Sequence, residues 1–367
     1  MKFIAKKEEI VESLQMGAAI AERRQTIPIL ANLKIKTKDK GIEITATDLE
    51  IQIKSNSKVQ KVEEEGEITV SARKMSELCR MLPSNENLEF EVNQGKLTVK
   101  SKNFHADFAT LSASDFPELE IGEQEEVFSL DSSVLKRLFN KTQFCMATQD
   151  VRYYLNGLLL EINDGNLITV ATDGHRLATA SSALEDKTDK ITRNILPRKA
   201  VTELAKILRD EEEKIEVALG SSSLRIKDKD LDFSSKLIDG KFPDYERVFP
   251  QGLASEMLIS KEDFHSALSR ASVLSNEKYR GVRLILSENS LKLMANNPEQ
   301  ESAEEDLEVK YDGPSMEIGF NIGYLLDVLG SIDSEEVILS FFGEENSCLI
   351  NEPGNHTETY VIMPMRL

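Results

Sequence analysis

One pattern occurs three times along this chain, and it restricts the fold more than composition does. Residues 32–48 read NLKIKTKDKGIEITATD, residues 156–173 read NGLLLEINDGNLITVATD, and residues 281–297 read GVRLILSENSLKLMANN. Each is an alternating strand, a short polar turn and a second alternating strand, the period of a half-buried hairpin. Each closes on a small polar pair: Thr47-Asp48, Thr172-Asp173 and Asn296-Asn297, spaced about 125 and then 124 positions apart. Self-similarity at a fixed spacing means one supersecondary unit used repeatedly.

The flanks repeat with the hairpins. A strand and then a helix precede each one, in MKFIAKKEEIVESLQMGAA, VFSLDSSVLKRLFNKTQFCMA and EMLISKEDFHSALSRASVLS. Asp131 or Ser132 can cap the second of these helices and Ser260 the third. A second strand and helix come after the hairpin, in ITVSARKMSELCRML, NILPRKAVTELAKIL and EIGFNIGYLLDVLG, and then further alternating strands. Two copies add a Phe-Pro turn, SDFPEL and KFPDYERVFP. The fold class expected is therefore α+β, in three tandem copies of a unit with two helices and roughly eight strands. The expected domains are 1–123, 124–251 and 252–367.

A chain of 367 residues is long enough for two or three domains, which agrees with the repeat. No apolar run approaches the roughly 20 residues of a membrane span, and the first residues, MKFIAKKEEIVE, have no signal-peptide core. Cys79, Cys145 and Cys348 lie far apart and form no CxxC, so a reducing cytoplasm is expected and no disulfide framework. The four histidines, His105, His175, His265 and His356, are scattered without metal-ligand spacing, and neither metal nor cofactor is expected.

The formal net charge of −19 argues against a protein that coats nucleic acid, but its distribution matters more than its sum. Val134, Leu135, Leu138, Phe139, Thr142 and Cys145 recur at helical spacing and predict a buried stripe, leaving Lys136, Arg137 and Lys141 off it. Ala200, Val201, Leu204, Ala205 and Leu208 do the same beside Lys199, Thr202, Lys206 and Arg209. In ARKMSELCRML the exposed residues include Arg73, Lys74 and Arg80. Acid collects elsewhere, in KVEEEGE, GEQEE, RDEEEK and NNPEQESAEEDLE. Basic helix faces in an acidic protein predict a surface for phosphate. The third copy offers Lys278, Arg280 and Arg283 in NEKYRGVR instead. A protein scaffold that never meets DNA fits the acidic total but not these faces.

The stretch ATDGHRLA, residues 171–178, places Asp173, His175 and Arg176 together and invites an acid–base reading. The chain has no GxSxG elbow, no metal cluster and no Gly-rich phosphate loop to support catalysis. The repeat makes Thr172-Asp173 the second of three equivalent strand ends, so Asp173 is expected to be a turn residue. What the second copy adds at that strand end is Gly174-His175-Arg176-Leu177.

The triplication, QDVRYYLNG, ATDGHRLA, SNEKYRGVR, ANNPEQE and the terminal MPMRL together resemble the bacterial DNA sliding clamp family, the β subunit of DNA polymerase III, over the whole chain. The resemblance implies a non-enzymatic processivity factor for DNA replication. It implies a head-to-tail homodimer closing as a ring around double-stranded DNA, with helices lining the hole and sheets outside. Backbone contacts carry no sequence information, so such a ring slides.

The positions matching the family's DNA contacts are Arg24, Gln149, Tyr153, Tyr154, Arg198, Lys199, Tyr279, Arg280 and Arg283. Those matching its dimer contact are Lys74, Ala106, Phe108, Val273 and Leu274, with Glu299, Glu301, Glu304 and Glu305 as the acidic side. Ala106 stands where some relatives carry an aromatic residue. The resemblance also implies a hydrophobic pocket between units two and three for short linear motifs. Its partners are the polymerase III α subunit, the clamp loader, other polymerases and repair proteins. The matching residues are Leu155, Thr172, Gly174, His175, Arg176, Leu177, Pro243, Arg247, Val248, Asn321, Tyr324, Ser347, Val361, Met363, Pro364, Met365 and Arg366. Arg176, Arg247 and His175 are expected as polar anchors at its rim.

Overall fold

The computed structural model describes residues 1–21, 27–84, 86–185 and 191–366. Arg24 lies outside the described residues. The chain forms two compact bodies, Met1–Ser133 with Thr202–Leu237, and Val134–Val201 with Ile238–Leu367. These bodies cut across the repeat, because strands from neighbouring copies pair with each other.

The first body holds a 13-stranded sheet. Its first-copy hairpin, Asn32–Lys38 and Gly41–Thr47, runs on into Ile51–Lys58. That strand pairs antiparallel with Leu231–Lys236 of the second copy, from Leu231 opposite Ser55 to Ser235 opposite Ile51. Helices α1 (Lys7–Ile20) and α2 (Ala72–Met81) belong to this body. Ile10, Leu14, Gly17 and Ile20 lie on the buried side of α1, at the three- and four-residue spacing of one helix face. A Cβ on Gly17 would stand 2.5 Å from the Leu33 side chain, so glycine is what lets the helix come this close to the sheet.

The second body holds a nine-stranded and a four-stranded sheet. The second-copy hairpin, Gly157–Asn163 and Asn166–Thr172, continues into Arg176–Ala183. That strand pairs antiparallel with Glu358–Ile362 of the third copy, with Arg176 opposite Ile362 and Leu177 opposite Val361. The same seam is thus made twice, between equivalent strands. The four-stranded sheet is the third-copy hairpin, Gly281–Ser287 and Ser290–Asn296, with Ser302–Glu308 and Met316–Asn321.

Helix α3 (Ser132–Thr142) buries Leu135, Leu138, Phe139 and Thr142 as its spacing predicts, and α4 (Arg198–Ile207) buries Ala200, Val201, Leu204 and Ala205. The third copy contributes α5 (Lys261–Val273) and α6 (Ile322–Ser331). Ser260 caps α5, its hydroxyl accepting from the Asp263 N–H at 3.3 Å. The Ser132 hydroxyl accepts instead from the backbone N–H of Arg209 at 2.9 Å.

The basic residues of α3 depart from expectation. Lys141 is 7% exposed and its ammonium reaches Asp333 at 2.8 Å, Glu358 at 3.0 Å and Glu352 at 3.2 Å. It also donates to the Ser331 carbonyl at 2.7 Å. Arg137 binds the buried Glu358 at 2.5 Å and donates to the Ser181 carbonyl at 3.2 Å. Two of the three bases expected on a phosphate-facing surface are therefore counter-charges of the buried Glu358. Burial is the largest single influence on Lys141 and opposes its charge, but its bonds to Asp333 and Glu358 outweigh it and raise its pKa. Lys141→Met should destabilise the fold by about 3 kcal/mol in urea titration, because it leaves the buried Glu358 with one counter-charge fewer. A loss within error of zero would show that water reaches Glu358.

Candidate peptide cleft and nucleic-acid face

The turn inside ATDGHRLA is built by its own side chains. Asp173 accepts from the backbone N–H of His175 at 2.9 Å and of Arg176 at 3.0 Å. Thr172 donates to the Arg176 carbonyl at 2.6 Å. Gly174 sits at φ +90°, a conformation that favours glycine. The first copy makes the same turn. Asp48 accepts from Glu50 at 2.9 Å and Ile51 at 2.7 Å, Thr47 donates to Ile51 at 2.8 Å, and Leu49 takes φ 76°. The third copy has a longer version, in which Asn297 accepts from the Glu301 N–H at 2.9 Å. Asp173 is thus an Asx-turn acceptor, with its oxygens committed to the backbone and to Arg176.

Beside this turn the second body has an apolar cluster of Leu159, Val170, Leu177, Ile195, Phe242, Tyr245 and Val361. Tyr154, Ile238, Val248 and Phe249 pack against it while still partly open. Two predicted wall residues, Leu177 and Val361, are fully buried in the cluster, and Val248 forms part of its margin. Leu155 is 2% exposed and Met363 is 38% exposed. Pro243 and Arg247 are exposed on the turn that carries Phe242 and Tyr245, and Arg247 is held by Asp244 at 2.7 Å. The final segment is tied down at two points. Met363 donates to the His175 carbonyl at 2.9 Å, and Met365 donates to the Gly319 carbonyl at 2.8 Å. Pro364 is half-buried between them and Ser347 is half-buried nearby in sequence to the Cys348–Asn351 strand.

Arg176, expected at the rim, is engaged within the fold. Its guanidinium bonds Asp173 at 3.0 Å, Asp327 at 2.6 Å and the Phe144 carbonyl at 2.9 Å, and it lies 4.5 Å over the Tyr324 ring. Three donors and the cation face are used within the fold, so Arg176 ties the turn to α6. His175 is exposed and remains available. Asn321 caps α6 by accepting from the Gly323 N–H at 2.8 Å.

The residues expected on the nucleic-acid face divide. Gln149, Tyr153, Tyr279 and Arg280 are exposed on two tight loops, with φ 57° at Gln149 and 50° at Arg280. Tyr154 instead packs on the apolar cluster. Arg198 donates to the Met146 and Ala147 carbonyls at 2.7 and 3.2 Å, and Arg283 pairs with Glu317 at 2.8 Å. Lys199 is half-buried in the first turn of α4.

The dimer positions divide likewise. Lys74 and Glu299 are exposed, Val273 is 78% exposed, and Ala106, Phe108 and Leu274 are half-buried. Three of the four named acids are engaged within their own chain. Glu304 pairs with Lys292 at 2.6 Å, Glu305 with Arg270, and Glu301 accepts from the Asn297 side chain at 2.6 Å.

Sequence reasoning missed Arg152, Phe242 and Tyr245. A Cβ on Gly174 would stand 3.0 Å from the Arg152 guanidinium, so that side chain covers the turn. Phe242 and Tyr245 stand three apart in KFPDYERVFP, and that aromatic spacing was the available signal.

Three copies of one α+β unit, joined by strand pairing and with Asp173 committed to its own turn, define a repeat scaffold. Three family descriptions match in tandem: the N-terminal domain of the DNA polymerase III beta subunit over residues 1–120, its central domain over 129–244 and its C-terminal domain over 246–366. The chain is 44% identical over 367 residues to the beta sliding clamp of Pseudomonas aeruginosa and 42% identical to that of Escherichia coli K12, each comparison covering both chains completely. It is also similar to the solved Pseudomonas aeruginosa DnaN sliding clamp bound to griselimycin, with a TM-score of 0.97 at 44% identity over the whole of both chains. The Caulobacter crescentus polymerase III beta structure matches over the whole of both chains with a TM-score of 0.92 at 32% identity. The chain belongs to the bacterial β sliding clamp family, the non-catalytic processivity clamps of DNA polymerase III, and has their three-domain α+β fold.

The Arg152 loop has a pH signature. Hydrogen bonds from the Arg152 side chain and then its backbone hold the Asp150 carboxyl down at about 2. A carboxyl lowered on folding contributes stability that is complete above its unfolded pKa of about 3.9 and is lost as pH falls through the folded value. The Val151 methyl signals should therefore hold from neutrality to about pH 4 and shift only toward pH 2. A midpoint near 4 would mean the pair does not form.

Proposed function

We propose that two copies of this chain close head to tail into a ring around duplex DNA, and that each copy presents its cleft to short motifs of replication and repair proteins. The observation that carries the ring is the repeated seam. Strand Ile51–Lys58 takes Leu231–Lys236, and Arg176–Ala183 takes Glu358–Ile362. The third member of the first series is Ser302–Glu308, which ends its four-stranded sheet. The first-copy counterpart of the second series is Phe104–Leu111, where only Thr110 and Leu111 pair with Glu67–Ser71 among the described residues. Each chain thus carries one unused edge of each kind, and strand addition between them is a heterologous contact that closes by rotation. Ala106 and Phe108 lie on one side of the first edge, and Ala303, Glu305 and Leu307 on one side of the second, so the contact would combine apolar and charged side chains with the hydrogen bonds.

In this reading the units are 1–123, 124–251 and 252–367, and the chain works in the cytoplasm. Arg24, Gln149, Tyr153, Lys199, Tyr279 and Arg280 meet the duplex, while Arg198 and Arg283 hold the loops and strands that present them. The cleft receives linear motifs of the polymerase III α subunit, the clamp loader and other polymerases and repair proteins. Val248 and Met363 supply apolar contact and adaptable shape, backed by the buried Leu177 and Val361. His175 and Arg247 supply the polar rim.

The solution mass should be twice 41.2 kDa, and Phe108→Asp should weaken dimerisation about tenfold or more in sedimentation. A wild-type monomer at micromolar concentration would sink the ring. Once loaded, the protein should stay on closed circular DNA and be lost when the circle is cut. Equal retention on both forms would replace encirclement by ordinary binding. Deleting residues 363–367 should remove affinity for an α-subunit motif peptide and leave the dimer mass unchanged. Unaltered peptide affinity would move the cleft elsewhere.

A further inference from the structure

The two seams correspond position by position, and they differ in what fills them. In the first, the Asn56 N–H donates to the Asp230 carbonyl at 2.8 Å; in the second, the Ser181 N–H donates to the Thr357 carbonyl, also at 2.8 Å. Ser55 stands opposite Leu231 where Ala180 stands opposite Glu358. The repeat spacing carries Glu12 and Met16 of α1 onto Arg137 and Lys141 of α3, and Ile207 and Asp228 onto Ser331 and Glu352.

In the second seam two long cations of the chain itself fill the place. Arg137 takes Glu358 and the Ser181 carbonyl. The Lys141 ammonium takes the Ser331 carbonyl, at the end of α6, together with Glu358 and Glu352. The first seam has neither cation. Met16 is uncharged, Glu12 reverses the sign, and the place is a cavity of about 310 Å³. Met16, Ile207 and Leu231 give it an apolar lining, and Glu12, Asp228 and Asp230 line it with carboxylates. Glu12 and Asp230 are exposed and form no ion pair among the described residues. Of the bases that also line it, Arg209 is held by Glu213 at 3.2 Å, and Lys58 and Lys229 are exposed, where water and salt screen them.

We infer that this cavity binds a small aliphatic diamine, which supplies the two cationic heads that the first copy lacks. One ammonium takes the place of the Lys141 head, at the Ile207 carbonyl and the Asp228 carboxylate. Ile207 ends α4, and the carbonyl end of a helix favours a cation. The other ammonium meets Glu12 and Asp230, and the methylene stem lies on Met16 and Leu231. A charge-assisted bond at each end with an apolar stem between them reproduces what Arg137 and Lys141 do in the second seam. The cavity lies wholly within the first body and shares no residue with the peptide cleft, the nucleic-acid face or the dimer edges.

The test titrates the full chain with putrescine, a four-carbon diamine, and follows the Met16 methyl signal. The signal should move saturably, and butanediol, which has the same stem without charge, should leave it in place. Met16→Lys gives the first copy an ammonium of its own and should weaken putrescine binding about tenfold or more in calorimetry. Glu12→Gln, at an exposed position, should weaken it by a similar factor. Glu65→Gln, an exposed acid outside the cavity, should leave the affinity unchanged, which separates the site from diffuse attraction to a chain of net charge −19. Thermal melting checks that each variant folds. Three results would overturn the inference: no saturable shift, an equal shift with butanediol, or an affinity that neither Met16→Lys nor Glu12→Gln lowers more than Glu65→Gln does. None of them bears on the ring or the peptide cleft.

Discussion

Backbone pairing between copies is the constraint on which the rest depends. A single copy ends in strands with unsatisfied N–H and C=O groups, and an open edge of that length pairs with whatever is offered. Leu231–Lys236 satisfies the edge of Ile51–Lys58, and Glu358–Ile362 satisfies that of Arg176–Ala183. Antiparallel pairing also fixes register, because a slip of one residue would turn Leu177 and Val361 away from their cluster. The apolar cluster is a consequence of that seam: Leu177 and Val361 stand on the two paired strands, and Phe242, Tyr245, Val248 and Phe249 pack with them.

The turn that opens the seam strand explains how one scaffold serves different ends. Thr47-Asp48 and Thr172-Asp173 make the same bonds to the backbone, and they hold the strand entry in place independently of the residues at the tip of the turn. Those tip residues are then free to vary. The first copy places Leu49 and Glu50 there, while the second places Gly174, His175 and Arg176. Arg176 goes further by joining its turn to Asp327 and Tyr324, so a ligand bound at the proposed cleft would meet a turn already braced to α6. Preorganisation of this kind cuts the ordering cost of binding.

The hairpins, helices and turn were legible because their signals are local. Alternation marked residues 157–172, helical spacing marked the buried side of α3, and repetition identified Asp173 as a turn residue. The electrostatics were not legible. Off-stripe position correctly placed Arg137 and Lys141 away from the α3 stripe, but their partners Glu358, Glu352 and Asp333 lie about two hundred residues away. Charge on a helix says where a side chain starts and not which distant carboxylate it meets. The same holds for Arg198, whose acceptors are backbone carbonyls with no sequence signature. The bond from Arg176 to Asp327 was hidden for the same reason, since Asp327 is 151 positions distant.

This internal use of cations bears on how such a protein holds DNA. Each phosphate neutralised by a free Lys or Arg releases counterions and steepens the salt dependence of binding. Here Arg73 pairs with Glu77, Lys206 with Glu203, Arg209 with Glu213 and Arg283 with Glu317, in addition to the buried set around Lys141. Lys74, Lys278 and Arg280 are exposed without an ion pair among the described residues. With Arg73, Lys206, Arg209 and Arg283 paired internally, a chain of net charge −19 would make weak contact with any one stretch of duplex backbone. Weak contact is what sliding requires, because every step breaks and remakes it. In the proposed ring, retention would come from the closed path around the duplex, and the strength of the subunit edges, more than the number of basic residues, would set how long the protein stays.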